Sequence, residues 1–178
     1  MDFCSYGLPR ALGDKFIVMN EKYKTSSAIV LGMHDALVSQ TGIITGLAFA
    51  LTDNRLIIMT CVISAVSDGL SMLASNYLAE RERTTLKNSI IAGIYTGIAY
   101  LGTSALLLIP FFITEQIRPA IISSFTIAII IIFLFNYCMA RHDGRGIRHR
   151  FFEMLGICTI VSIIAFFIGE AAKYILGI

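Results

Sequence analysis

The sequence predicts an all-α, polytopic membrane protein with five transmembrane helices and a cytoplasmic N terminus. The composition is the first reason: 56% of the 178 residues are hydrophobic and the mean hydropathy is +0.77, whereas soluble domains are only ~45–50% apolar. The second reason is the presence of five apolar runs, each near the ~20 residues that a helix needs to cross a bilayer. The third is an uneven distribution of basic residues between the runs.

Residues 1–25 form a charged N-terminal segment that we expect in the cytoplasm. The segment has no apolar stretch long enough for a cleavable signal peptide. Its apolar residues 16–19 fit either a short helix on the membrane surface or a loosely ordered tail. The transmembrane domain is then predicted over residues 26–178.

The five spans of this domain follow one another with short connections. Their predicted limits are about 26–51, 56–78, 89–113, 120–140 and 151–178. Residues 52–54 predict a tight polar turn, so the first two spans form a helical hairpin. Pro110 lies near the end of span three, where an interruption of the helix is tolerated. The remaining connections are residues 79–88, 114–119 and 141–150.

The orientation follows from the Lys and Arg residues. Eleven of the fourteen fall on one side of the membrane, in the N-terminal segment and in the connections 79–88 and 141–150. Because cytoplasmic loops carry an excess of Lys and Arg, this side is expected to be cytoplasmic and the C terminus to lie opposite. The net charge of +2 gives no reason to expect nucleic acid as a partner, whereas membrane lipid is an expected one.

Two acidic residues, Asp35 and Asp68, lie inside the first two spans. A carboxylate at the centre of a bilayer costs at least ~2.5–3.5 kcal/mol. The first four spans contain no Lys or Arg that would compensate the charge. These acids therefore predict a functional site, although polar groups in membranes also serve as hydrogen bonds between helices.

The residues around the two acids favour a transition metal. Helical spacing places Ser64 and Met72 on the same face as Asp68, and Met33 precedes Asp35 by two residues. Carboxylates beside a thioether suit Fe²⁺ or Mn²⁺ better than Ca²⁺ or Mg²⁺. The predicted metal site consists of Asp35, Asp68, Met72, Met33 and Ser64.

Glu80 and Glu82 follow span two at its cytoplasmic end. They would attract cations to the entrance of a pathway, but together with Arg81 and Arg83 they also fit an ordinary solvated helix end. The sequence contains no Ser-His-Asp arrangement, no phosphate-binding glycine loop and no HExxH motif. It therefore predicts neither an enzyme nor a permanently bound cofactor.

Two pairs of glycines have the GxxxG spacing that lets membrane helices approach closely. They are Gly42 with Gly46 in span one, and Gly93 with Gly97 in span three. The spacing fits packing within one chain as well as contact between two copies.

Four segments follow one another along the chain: HDALVSQTGIITGLA in span one, ISAVSDGLSMLASNYLAERE in span two, ALLLIPFF in span three, and RGIRHRFFEMLGICTIVSIIAFFIG towards the end. In this order they resemble segments of the vacuolar iron transporter family. The resemblance covers roughly residues 28–177. It implies a homodimer of five-helix subunits, with a cation path between the two copies of span one and its neighbours. It also implies export of Fe²⁺, and often Mn²⁺, from the cytoplasm in exchange for protons.

The resemblance matches the family's first-span aspartate to Asp35 and its second-span methionine to Met72. This chain departs from the family in two ways. A family glutamate falls on Ser64, so Asp68, one turn further on the same face, is the expected substitute. Members with a cytoplasmic metal-binding domain carry it between spans two and three, where this chain has only residues 79–88. We therefore expect no ferritin-like store and no regulation by such a domain.

The leading hypothesis is thus a transporter with Fe²⁺ or Mn²⁺ as its cargo. One alternative is a carrier of another small solute on the same scaffold, with no metal site between the two acids. The other is a membrane interaction protein, in which the acids pair with each other or with Ser and Thr hydroxyls. The expected location is the plasma membrane in a prokaryote, and a vacuolar or other endomembrane in a eukaryote.

Overall fold

Five α-helices make up nearly all of the computed structural model, which describes residues 10–143 and 147–176, with side chains at 26–137, 149 and 151–175. The helices are α1 Arg10–Ala50, α2 Asn54–Arg81, α3 Leu86–Ile113, α4 Ile117–Asp143 and α5 Ile147–Leu176. The described residues contain no β-strand. The all-α prediction is confirmed.

Each helix contains a stretch long and apolar enough to cross a membrane. These stretches are Ser26–Ala50, Asn54–Arg81, Leu86–Ile113, Ile117–Tyr137 and Phe151–Ile175. They match the five predicted spans to within a few residues at each end. The protein is therefore an integral membrane protein, while the side on which its N terminus lies stays a prediction.

The N-terminal segment differs from its predicted form, because α1 begins at Arg10 and continues without a break to Ala50. Residues 16–19 belong to this helix and form neither a separate surface helix nor a loose tail. No Gly or Pro interrupts residues 14–31. Extending an existing helix is favourable in such a stretch, since no new nucleus has to form.

The connections between helices are shorter than predicted. Residues 82–85 alone separate α2 from α3, so most of the predicted connection 79–88 is helical. At the other side of the membrane, Asp53 caps α2 by accepting a hydrogen bond from the Arg55 backbone N–H at 2.9 Å. The predicted basic connection 141–150 is also largely helical, and its residues 144–146 lie outside the described part.

α1 lies at the centre of the bundle and contacts all four other helices. The buried apolar cluster includes Leu37 of α1, Ile57 of α2, Leu107 of α3, Ile132 of α4 and Cys158 of α5. Both α1 and α2 pack more extensively against α3 than against each other. The position of α3 therefore determines how the first two helices, which carry the acids, stand relative to each other.

The GxxxG pairs serve contacts within the chain. A Cβ atom added at Gly42 would lie 3.0 Å from Val161, and one at Gly46 would lie 3.2 Å from the carbonyl oxygen of Ala165, both in α5. The second pair, in α3, faces α2 of the same chain in the same way. Of the two alternatives left open by the spacing, packing inside one subunit is the one observed.

Candidate functional site

The two intramembrane acids lie at a similar depth in the bundle. Counted from the turn at Asp53, Asp35 lies about 27 Å back along α1 and Asp68 about 22 Å along α2, at ~1.5 Å per helical residue. The antiparallel hairpin therefore brings them level. Asp35 is within electrostatic range of Asp68 and of its neighbour His34, and both acids are partly buried.

Hydroxyl groups from two helices hold Asp68. Ser64 Oγ donates a hydrogen bond to Asp68 Oδ2 at 2.8 Å, and the Tyr100 hydroxyl donates to the same oxygen at 3.2 Å. The Tyr100 oxygen also lies 2.7 Å from Ser39 Oγ. Since Ser39 is one turn beyond Asp35, a continuous hydrogen-bonded chain links α2, α3 and the acid-bearing part of α1.

Tyr100 is absent from the predicted site. Its side chain is completely buried. A signal for it exists in the sequence, because Thr96, Tyr100 and Ser104 recur every four residues and so form a hydroxyl stripe along one face of α3. All three are buried in the structure, which identifies this stripe as the inner face of the helix.

Gln40 is a further polar group next to this cluster and is not one of the five predicted metal-site residues. Its side chain is fully buried and lies beside the Tyr100 hydroxyl. Neither its Nε2 nor its Oε1 atom has hydrogen-bond geometry to a described residue. An unpaired buried amide costs ~1–3 kcal/mol, so the polar cluster retains unused hydrogen-bonding capacity next to Tyr100.

The other predicted site residues do not take part in these hydrogen bonds. Met72 is partly buried one turn beyond Asp68 on α2. Met33 packs against the buried apolar cluster. Glu80 and Glu82 lie at the end of α2, about 18–21 Å from Asp68 along the helix axis. Their roles as ligands or as a pathway entrance stay predictions.

The described side chains of one chain do not form a cluster of the usual metal-ligating type. Within the described residues, no group of three His, Cys, Asp or Glu side chains is arranged to hold a metal ion. The ion pair found in that part of the chain is His149 with Glu153, both exposed. Among the described residues, no Lys or Arg forms an ion pair with Asp35 or Asp68, and two neighbouring carboxylates repel each other unless a cation or a proton lies with them.

The outer face of α2 carries a row of small polar residues beside the Asp68 face. Ser67, Ser71 and Ser75 follow at intervals of four and all three are exposed. Small residues at this spacing are typical of contacts between membrane helices. This surface, which we call the serine stripe, is suited to packing against a further helix.

A family model described as the VIT family matches residues 26–87 and 80–170 of the chain. The two matches together extend from the first span to the last. They overlap at the short connection between α2 and α3. No curated protein matches the sequence.

Proposed function

The chain belongs to the vacuolar iron transporter family, and we propose that it carries Fe²⁺ or Mn²⁺ out of the cytoplasm in exchange for protons. Family membership supports the transport of an ion. The observation that carries the choice of a cation is that Asp35 and Asp68 lie within electrostatic range of each other on two membrane helices, with no Lys or Arg ion pair among the described residues. Two carboxylates without such a partner are far more stable in hydrocarbon with a divalent cation than without one.

Each side chain has a defined part in the proposed exchange. Asp35 and Asp68 supply hard oxygen ligands, and the Met72 thioether adds a soft one that favours Fe²⁺ over Mg²⁺. Asp68 receives both of its hydroxyl hydrogen bonds at Oδ2, which leaves Oδ1 for the ion. Protons compete with metal for carboxylates. A low pH on the far side of the membrane therefore favours release of the metal ion there. The protons that return to the cytoplasm on the same carboxylates couple proton flow to metal flow.

The incomplete ligand set supports a homodimer. Octahedral sites of Mn²⁺ take about six ligands, and the described residues of one chain bring two acids to this position. The serine stripe of α2 is exposed beside Asp68 and provides a surface on which a second copy packs. In the proposed dimer, both copies contribute side chains to one cation path along α1 and α2.

Metal flux in a reconstituted system tests the proposal. The full chain in proteoliposomes is expected to take up Mn²⁺ and Fe²⁺, measured with an enclosed metal-sensitive dye, when a pH gradient drives protons outward. Collapse of the gradient with a protonophore should abolish the uptake. Protein-free liposomes give the background rate. Uptake that is no faster than this background would contradict transport of these metals.

One observation also fits the interaction-protein alternative. Asp68 bonds to the hydroxyls of Ser64 and Tyr100, as expected if the acid only joins helices. That alternative requires neither metal flux nor metal binding. Isothermal titration calorimetry of the purified protein with Mn²⁺ distinguishes the two. A transporter should show a heat of Mn²⁺ binding that is absent from the Asp68→Asn variant, whereas an interaction protein should show none in either.

The Met72→Leu variant is expected to lose preference for Fe²⁺ over Mn²⁺. The change conserves volume but removes the sulfur ligand, which is softer than oxygen. We expect the ratio of Fe²⁺ to Mn²⁺ uptake to fall by about 10-fold, equivalent to ~1.4 kcal/mol. Met59→Leu is the matched control, because Met59 lies on the same helix and is 53% exposed. An unchanged ratio in Met72→Leu would remove Met72 from the site.

A further inference from the structure

Tyr100 lies between the two acid-bearing helices and has no role in the function described so far. We infer that Tyr100 is a positioning residue that sets the separation of Asp35 and Asp68, so that α3 determines the geometry of the metal site. The inference rests on the proposed function, since it concerns the same pair of acids.

The direction of the hydrogen bonds supports this role. A tyrosine hydroxyl has a single proton to donate. Because Tyr100 donates it to Asp68 Oδ2, the 2.7 Å contact with Ser39 Oγ requires Ser39 to be the donor. The Tyr100 hydroxyl oxygen of α3 thus orients the Asp68 carboxylate on α2. It also binds Ser39 of α1, which lies one helical turn from Asp35.

The Tyr100 ring is fixed in place. It is completely buried and lies against the backbone of α2, where a Cβ added at Gly69 would be 3.4 Å from Tyr100 Cδ1. One turn earlier, Thr96 accepts a hydrogen bond from Asn76 Nδ2 at 2.6 Å, and its own proton is shared between the carbonyl oxygens of Ala92 in α3 at 3.0 Å and Ala28 in α1 at 3.1 Å. This part of α3 is therefore tied to both α1 and α2, and the Tyr100 hydroxyl is a fixed point.

The packing of the helices explains why a residue of α3 is needed to set the separation of the two carboxylates. α1 and α2 contact each other less than either contacts α3, so direct contact between them does not define the distance between their carboxylates. Residues that hydrogen-bond to metal ligands and orient them typically contribute 10–100-fold to the affinity for the metal. Tyr100→Phe removes the hydroxyl and retains the ring.

The experiment compares Mn²⁺ binding and transport by the full-length protein, its Tyr100→Phe variant and a matched Tyr95→Phe variant. Tyr95 lies on the same helix and is 43% exposed. We expect Tyr100→Phe to bind Mn²⁺ about 10-fold more weakly, with a broadened electron paramagnetic resonance spectrum of the bound ion. Its KM for uptake should rise by a similar factor, while the rate at saturating Mn²⁺ stays within about twofold. Tyr95→Phe should match the wild type.

Ser39→Ala provides a second test that does not depend on the folding of Tyr100→Phe. We expect a smaller loss of affinity in the same direction. The effects of the two changes should also be less than additive when combined, because both act through one hydrogen-bonded chain. Fully additive effects would contradict the inference.

The outcomes separate this inference from the function on which it rests. If the wild type binds and transports Mn²⁺ while Tyr100→Phe has the wild-type affinity and spectrum, Tyr100 has no positioning role and the transporter proposal stands. A lower saturating rate with an unchanged spectrum also overturns the inference, since it indicates a merely structural effect. If the wild type neither binds nor transports Mn²⁺, both proposals fall.

Discussion

Asp35→Asn is expected to lower the initial rate of proton-driven Mn²⁺ uptake at least ~30-fold, because removal of the carboxylate that pairs with a desolvated cation costs about 2 kcal/mol or more. Asparagine has nearly the shape of aspartate but no negative charge. The variant therefore leaves the packing of α1 intact and removes the charge that Asp35 presents near Asp68. The measurement is uptake into proteoliposomes that contain equal amounts of each protein.

Asp53→Asn is the matched control for this prediction. Asp53 carries the same chemical change, but it is exposed in the turn before α2 and caps that helix. Asparagine caps helices about as well as aspartate, so we expect uptake within about twofold of the wild type. Equal rates for Asp35→Asn and the wild type would end the hypothesis that Asp35 binds the cation.

The second large effect concerns stability. A Cβ atom added at Gly32 of α1 would overlap the carbonyl oxygen of Thr96 in α3. That oxygen belongs to the backbone and moves only if α3 moves. Gly32→Ala is therefore expected to separate the two helices and to destabilise the fold by ~1–3 kcal/mol, the usual cost of overpacking. The measurement is the temperature at which heated protein in detergent loses its monodisperse elution peak.

Gly102→Ala is the matched control, with an expected effect of opposite sign. Gly102 is also in a helix, but a Cβ added there meets nothing within 4 Å. Alanine is favoured over glycine in a helix by ~0.8–1.0 kcal/mol, so this variant should be as stable as the wild type or more so. If Gly32→Ala proves as stable as Gly102→Ala, α1 and α3 do not approach as closely as described.

Residues of the candidate site differ in how far the sequence alone reveals them. Asp35 and Asp68 are conspicuous because a charge within an apolar run is costly wherever it faces. Tyr100 and Gln40 carry no charge and are not conspicuous in this way. Their importance arises from burial where α1, α2 and α3 meet, which depends on where the third helix packs.

The glycine pairs illustrate the same limit. The spacing of Gly42 and Gly46 predicts a face that permits close approach, but it does not specify the helix that fills the face. The structure places α5 of the same chain there. A second copy is consequently proposed on the serine stripe of α2.

The sequence by itself determined the number of spans, their approximate limits and the presence of two acids that need a partner in the membrane. It did so because the thickness and the low polarity of a bilayer act on each segment separately. Only the tertiary structure decided which helix faces meet. The contact between Ser39 and Tyr100 joins residues 61 positions apart, and such a contact depends on the shapes of several helices packed together. The hydropathy of a single segment does not specify how those helices fit together.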